Sequence, residues 1–408
     1  MGIFRDALKV NALSSSELAE KMGFTVSTTG GITKAGEYVT SDNALRLAAV
    51  YSCIKIITQT FAATPLFLMM DKDNGVKEKA SKHKLYHLLK NEAIEGVPAF
   101  RWREESMMDL LTDGNAFAQI IRNSRGEIVA LNHISAKSVE IIEEESNILY
   151  QVTDSHGNIY KLTRYQMMHI PALGNCKGRG LSPIGLAKES IGKAVAAAGY
   201  GSEFFKGGGQ AQAVVGVVDG VAKNKASFDE FKKEWEKSYG QNSRNKTIFL
   251  SGGISYNRLT VTPEEAQFLE TIKATTREIC GIYGVPPHMV GDLERATFSN
   301  IEHQAIEFIQ NTMVPWFVRF ESYIDTCLLT QKEREQGYYT KFNTNSWLRG
   351  DSASRASMYQ MMRQNGIMNA DEIRALEDMN PQKGNTGKQY LVNSAMNSIG
   401  ESKTESEE

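Results

Sequence analysis

The 408-residue chain is short of cysteine, has no long apolar run and carries no excess of charge of either sign. Each shortage excludes a class of protein. Its four cysteines, Cys53, Cys176, Cys280 and Cys327, stand far apart with no C-x-x-C pair. That spacing argues against a disulfide framework or a zinc site and fits a reducing compartment. The opening segment, Met1-Gly-Ile-Phe-Arg-Asp6, has no apolar stretch of signal-peptide or membrane-span length. Asp6 also stands where an N-myristoylation site wants Ser or Thr. Forty-six Lys and Arg against 48 Asp and Glu give a formal net charge of −2. A tight nucleic-acid binder, whose affinity comes from cations neutralising phosphates, is disfavoured by that balance.

Catalytic grammar is missing too. No Gly-x-Ser-x-Gly elbow or clustered carboxylates occur. Gly207-Gly-Gly209 and the glycine-rich stretch 174–180 do not fit phosphate-loop spacing, and they read as connectors. His83 and His87 have zinc-ligand spacing, but no Glu follows the first histidine as in H-E-x-x-H, so a surface helix face is the better reading. The expectation is a protein that is not an enzyme and takes no cofactor or metal.

What is present is ordinary globular material, 41% hydrophobic and 23% charged, enough to build a real core. By length alone two or three domains are expected. Residues 1–40 are polar and read as a flexible arm. Leu47, Val50, Ile54, Ile57 and Phe61 recur at helical spacing, with Ser41 or Asp42 available as a cap and Pro65 as the stop. Short helices are expected around 83–90 and 98–111. Beta-like runs follow at 117–122, 128–134, 139–142, 148–152 and 159–162, and read as one small antiparallel sheet over 115–170.

Beyond residue 180 the helix-start signals are explicit. Ser182-Pro183 sets a cap before a first-turn proline, and Ser227, Thr262, Ser299 and Asn369 each precede an acid by three residues. Helices are therefore expected at 183–205, 228–239, 263–283, 300–329, 352–364 and 370–378, with strands at 247–250 and 255–261. Phe231, Trp235 and Tyr239 give the second of these helices an apolar stripe. The first carries Gly185, Gly192 and Gly199 seven residues apart, each costing about 1 kcal/mol relative to alanine. Such a face needs close backbone approach, either within the monomer or by a neighbouring subunit. Pro315 should kink the helix 300–329. The polar tail 381–408 should be disordered.

The most distinctive segment, Gly284-Val-Pro-Pro-His-Met-Val-Gly-Asp-Leu-Glu-Arg-Ala-Thr-Phe-Ser299, joins two long helices; loops of this length in compact chains are usually functional. Gly284-Val-Pro-Pro-His288 and Ala296-Thr-Phe-Ser-Asn-Ile-Glu302 carry a resemblance. So do Ala48-Ala-Val-Tyr-Ser-Cys-Ile-Lys-Ile-Ile57, Asp113-Gly-Asn-Ala116, Gly180-Leu-Ser-Pro-Ile184, Phe204-Phe-Lys-Gly-Gly208, Gln267-Phe-Leu-Glu270, Leu348-Arg-Gly-Asp351 and Glu372-Ile-Arg-Ala-Leu-Glu377. Over roughly residues 40–380 the chain resembles the portal proteins of tailed bacteriophages, in the branch associated with phages of the HK97 type. Met289-Val290 stands where leucines are more usual in that family.

The resemblance implies an α+β, predominantly helical portal fold of wing, stem, clip and crown, assembled as a ring oligomer with a central channel. On this chain the wing would be 41–182 with the kinked-helix segment 300–350. The stem would be 183–206 and 262–283, the clip 207–261, the tunnel loop 284–299 and the crown 351–380. It also implies a homododecamer at the portal vertex of the virion, assembled in the bacterial cytoplasm without a membrane. Implied partners are the terminase large subunit, a head–tail adaptor, major capsid or scaffold proteins, and double-stranded DNA held non-specifically. His288, Met289, Asp292, Glu294 and Arg295 would face DNA. Arg244, Lys246 and Arg258 would serve clip docking, and Gly185, Gly192 and Gly199 stem packing between subunits. The alternatives are another head–tail connector or minor capsid protein and, less favoured, a nucleic-acid-processing enzyme using Lys177 and Arg179.

Overall fold

The computed structural model describes residues 31–72, 76–144, 147–174, 178–206, 213–216, 229, 233, 255–258, 264–294, 304–344, 352–377, 379–384 and 386–391. The expectations for the arm up to residue 30, most of the helix 228–239 with its stripe, the strand 247–250 and the end of the tail fall outside these residues. The main helices are α1 (Ala48–Ala63), α2 (Lys84–Lys90), α3 (Ala99–Asp113), α4 (Lys188–Lys206), α5 (Glu264–Tyr283) and α6 (Val314–Leu328).

Helix α1 is the centre of the core because its apolar residues recur every three or four positions. Val50, Cys53, Ile54, Ile57 and Phe61 are all buried. It stops where proline dictates: Thr64 turns extended, as a residue before proline must, and its N–H is kept by the carbonyls of Thr60 and Phe61. The expected cap is corrected. Thr40, not Ser41 or Asp42, caps a separate short helix, Ser41–Ala44, while α1 starts at Leu47 without a side-chain cap.

The chain then enters a strand, Leu66–Asp71, that pairs antiparallel with Tyr338–Phe342 and with Lys77–Lys79. This brings the two halves of the chain together on α1. Phe61 packs on Phe320, Phe342 and Phe317 at ring-centroid distances of 4.5, 5.1 and 5.5 Å. Aromatic side chains supply the largest apolar area per residue, so this cluster is the hydrophobic anchor of the body.

The single sheet expected over 115–170 is two. Asn115–Arg122 lies between Ile128–Ile134 and Met167–Pro171, and Asn147–Thr153 lies between Val139–Glu144 and Ile159–Thr163. A tight turn at Ala136–Ser138 redirects the chain from one sheet to the other. The second sheet closes its own small core of Phe117, Val139, Tyr150, Val152 and Leu162.

Pro315 acts differently from a simple kink. A π-helical turn, Phe308–Met313, runs into α6 immediately before it. Proline offers no N–H to the carbonyl four residues back and its ring crowds that carbonyl; a widened turn accommodates both defects. The segments Ser352–Gln364 and Ala370–Leu376 form as expected, the latter with the Asn369–Glu372 capping box complete.

Candidate functional site

Helices α4 and α5 lie side by side and antiparallel. Ser190, near the start of α4, donates to Glu278, near the end of α5, at 2.6 Å. The excursion between them is closed at its neck, because Ala213–Gly216 pairs antiparallel with Ser255–Arg258. The expected strand 255–261 therefore finds a partner that the sequence did not mark. Arg258 stands on this neck strand, whereas Arg244 and Lys246 lie outside the described residues.

The expected helix 183–205 is broken once. Pro183–Leu186 forms a first turn, capped by Ser182, whose Oγ accepts from the Gly185 N–H at 3.0 Å; Ala187 then leaves helical geometry before α4 begins. The seven-residue glycine spacing divides in function. A Cβ on Gly192 would fall 2.5 Å from the Thr33 side chain of the same chain, so this glycine admits its own N-terminal hairpin. The close approach at this position is therefore made within the monomer. A Cβ on Gly199 would meet nothing.

The segment leading into α4 is fixed to the body by a backbone clasp. Gly114 ends α3 in the left-handed conformation, φ 76°, and lies so close to Leu181 that a Cβ would stand 2.2 Å from the Leu181 carbonyl oxygen. A Cβ on Gly180 would likewise stand 2.3 Å from the Gly114 carbonyl oxygen. Asn115 completes the clasp. Its Oδ1 accepts from the Gly180 N–H at 2.7 Å, and its Nδ2 donates to the Gly180 carbonyl at 3.1 Å. His169 also reaches Asn115 Oδ1, at 3.0 Å through Nε2, and an acceptor there requires Nε2 to carry the proton. Burial, reinforced by Arg179 and Arg164, drives the His169 pKa down to about 3, so the ring is neutral. Ser182 Oγ donates to the Thr112 carbonyl at 2.5 Å. The Asp113-Gly-Asn-Ala116 and Gly180-Leu-Ser-Pro-Ile184 signatures are thus the two halves of one joint.

At the other end of α5, Gly284 takes φ +67° and its carbonyl accepts from Thr312 Oγ1, in the π-helical turn, at 2.6 Å. The loop beyond folds back on the helix that precedes it. Val285 is buried, Pro287–Val290 makes a tight turn and Gly291 bends the chain at φ 95°. Arg277 Nε then donates to Asp292 at 2.8 Å and Arg277 Nη2 to Glu294 at 2.7 Å, while Lys273 also bonds Glu294. The Arg277 guanidinium holds the Asp292 carboxyl below its ordinary value; Lys273 first and Arg277 second do the same for Glu294.

The five residues expected to face DNA therefore separate. Met289 packs on the hydrophobic core, because its turn is pressed against α1. Asp292 and Glu294 are engaged by cations of the helix that precedes them. His288 keeps a buried Nδ1 with no hydrogen-bond partner among the described residues, and Arg295 lies outside them. Sequence reasoning missed Lys273 and Arg277; their i, i+4 spacing on one face of α5 was the available signal.

These ion pairs give a prediction. Because both acid pKa values are lowered in the folded chain, the latch holds at neutral pH and is lost as pH falls through the folded-state carboxylate pKa values. Arg277→Ala should speed hydrogen exchange at residues 291–294 roughly a few-fold, with little change in overall unfolding, as exposed pairs contribute modestly. Acidification should produce a larger release in the wild type, and in the variant it should still free Glu294 from Lys273. Unchanged exchange in Arg277→Ala would show the loop is held by its tight turn alone.

A cleft of about 410 Å³ opens beside Gly284, lined by Leu173, Pro183, Leu186, Ile282, Pro315 and Trp316 among others. Among the described residues no group of three or more His, Cys, Asp or Glu could hold a metal ion, and no helix is long and apolar enough to cross a membrane.

The structure is a mixed α+β body that sends out one long helix, closes an excursion at its neck and receives an antiparallel helix back. The chain belongs to the phage portal protein family, whose pattern matches residues 48–378. It is 30% identical over 388 residues to the probable portal protein of Streptomyces phage phiC31, covering 91% of this chain and 83% of that one. With the portal protein of Enterobacteria phage HK97 it shares 27% identity, over 85% of this chain and 82% of the other. Among solved structures it is similar to a chain in the neck of a native gene transfer agent particle computed with C12 symmetry. There the TM-score is 0.55 at 17% identity, covering 84% of this chain and 94% of the other. The protein is a portal protein, a component of the virion.

Proposed function

We propose that twelve copies of this chain close into a ring at one capsid vertex and line the channel through which double-stranded DNA enters and later leaves. The single observation that carries this reading is the α4–α5 pair, antiparallel, closed at its neck and clasped to the body at its base. Such a pair repeated about an axis forms a continuous wall, and a closed ring requires head-to-tail interfaces. The similar gene transfer agent neck has twelve-fold symmetry. In this reading the wing is 41–182 with 300–350, the stem 183–206 and 262–283, the clip 207–261, the tunnel loop 284–299 and the crown 351–380. Gly185 and Gly199 remain with the stem contacts between neighbours. Arg244, Lys246 and Arg258 belong to the clip, where the terminase large subunit docks; adaptor and capsid or scaffold proteins meet the same ring. Assembly takes place in the bacterial cytoplasm.

No residue of the chain carries out chemistry in this scheme, and ATP hydrolysis belongs to the terminase. The channel must confine DNA without gripping it. The balance of −2 suits that task, as strongly basic walls would hold the duplex through counterion release. His288 and Arg295 are the loop residues left to meet DNA; the loop acids, held by Lys273 and Arg277, mask two cations that would otherwise add to the grip. Electron-microscopy class averages of the purified full-length protein should show a ring with an open centre and twelve repeats. Closed or ringless particles at every concentration tested would overturn the reading in favour of another connector or minor capsid role.

A further inference from the structure

Cys53 and Cys280 are 227 positions apart in sequence, yet their sulfurs lie 3.9 Å apart with the Cys53 S–H directed at Cys280. Cys53 sits in the middle of α1, the core helix, and Cys280 in the last turn of α5, the helix that leads to the loop. Both are fully buried and belong to the same continuous core. A disulfide needs sulfurs about 2.05 Å apart, so each must move by about 1 Å. We propose that Cys53 and Cys280 are a dithiol that a hydroperoxide converts to a disulfide, fixing α5 to α1. This inference does not depend on the ring.

The chemistry has an assigned direction. The hydrogen bond from Cys53 lowers the Cys280 thiol pKa, while the same contact and burial push Cys53 up. Cys280 is therefore the first nucleophile. Its thiolate attacks one oxygen of hydrogen peroxide, the O–O bond breaks, and Cys280 becomes a sulfenic acid while hydroxide leaves. The Cys53 sulfur then attacks the Cys280 sulfur, displacing hydroxide, and the S–S bond forms. Two thiols and one peroxide give one disulfide and two waters; the sulfurs lose two electrons and the peroxide oxygens gain them. Burial excludes bulky oxidants and sets the pace by local opening. A virion component passes from a reducing cytoplasm to an oxidising exterior, where such a link persists.

The test uses the full-length protein treated with hydrogen peroxide, quenched, unfolded in N-ethylmaleimide and digested without reductant. The expected product is a peptide pair joined through Cys53 and Cys280, two hydrogens lighter than its reduced parts, together with an upward shift in unfolding temperature. In the variant Cys53→Ala, Cys280 loses its activating hydrogen bond and should oxidise more slowly, but the sulfenic acid that does form has no resolving thiol and should be trapped when dimedone is present during unfolding. The proposal is overturned if both cysteines still alkylate after the half-buried Cys327 has been oxidised, or if wild-type Cys280 proceeds to sulfinic acid without pairing. Should Cys53→Ala fail to fold, wild-type peptide mapping alone decides between these outcomes.

Discussion

Replacing Gly114 by alanine is expected to destabilise the protein by about 4 kcal/mol, a loss reserved for substitutions that break a specific structural device. Two physical effects add. An alanine held at φ 76° costs about 1 kcal/mol because its Cβ crowds the following carbonyl. Collision with the facing backbone costs more. The new Cβ would stand 2.2 Å from the Leu181 carbonyl oxygen and 2.5 Å from its carbon, and neither can swing away as a side chain could. Leu181 must shift, which strains the Asn115–Gly180 pair and the bond from Ser182 to the Thr112 carbonyl, each worth about 1 kcal/mol. Gly126 is the matched control, with φ 79° but nothing within 4 Å of a Cβ. Gly126→Ala should cost about 1 kcal/mol, the conformational penalty alone. Calorimetric scans should therefore show an unfolding temperature lowered by about 5 °C for Gly114→Ala and by about 1 °C for Gly126→Ala. Equal shifts would show that the clasp contributes nothing beyond glycine's conformational freedom. Assembly should suffer with the clasp, since it joins α4 to the end of α3.

Much of this architecture was legible where its cause is local. Helix periodicity located α1, Ser182-Pro183 started the helical turn Pro183–Leu186, and alternation found Ile128–Ile134 to the residue. The misses share a cause: the partner is distant in sequence. Leu66–Asp71 pairs with Tyr338–Phe342, some 270 positions away, and nothing near Leu66 names that partner. Gly192 looked like a surface for a neighbouring copy because a glycine signals close approach without saying by whom, and Thr33 supplies the answer. The loop was legible as an unusual segment, and its charges were read as facing outward. Asp292 and Glu294 instead turn back to Arg277, because the bend at Gly291 reverses the chain towards α5. A count of charges could not separate paired from free ones, whereas geometry does.

The buried cation supports the second large prediction. Arg103 on α3 is 5% exposed and donates to backbone carbonyls rather than to a carboxylate. Its Nε and Nη2 reach the Ala62 carbonyl at 3.2 and 2.9 Å, and Nη1 reaches the Leu89 carbonyl at 2.8 Å. Both carbonyls belong to last turns, of α1 and α2, where helices leave acceptors unpaired and carry partial negative charge. One planar guanidinium thus closes two helix ends at once, and two helix dipoles take the place of a counter-ion. Burial lowers its pKa to about 10, still well above neutrality, so the side chain is charged under working conditions. Arg103→Met keeps the approximate length and removes every donor. Each stranded carbonyl costs about 1–3 kcal/mol, partly offset because the desolvated charge is removed as well. The net expectation is a loss of about 3 kcal/mol, read as a lower unfolding temperature. Arg103→Lys restores the charge but places its donors on one atom, which cannot serve two carbonyls on separate helices. It should therefore fall between wild type and methionine. If lysine matched arginine, charge against the two dipoles would be sufficient. If methionine proved neutral, water would have to satisfy both carbonyls, and this part of the core would be wetter than its burial implies.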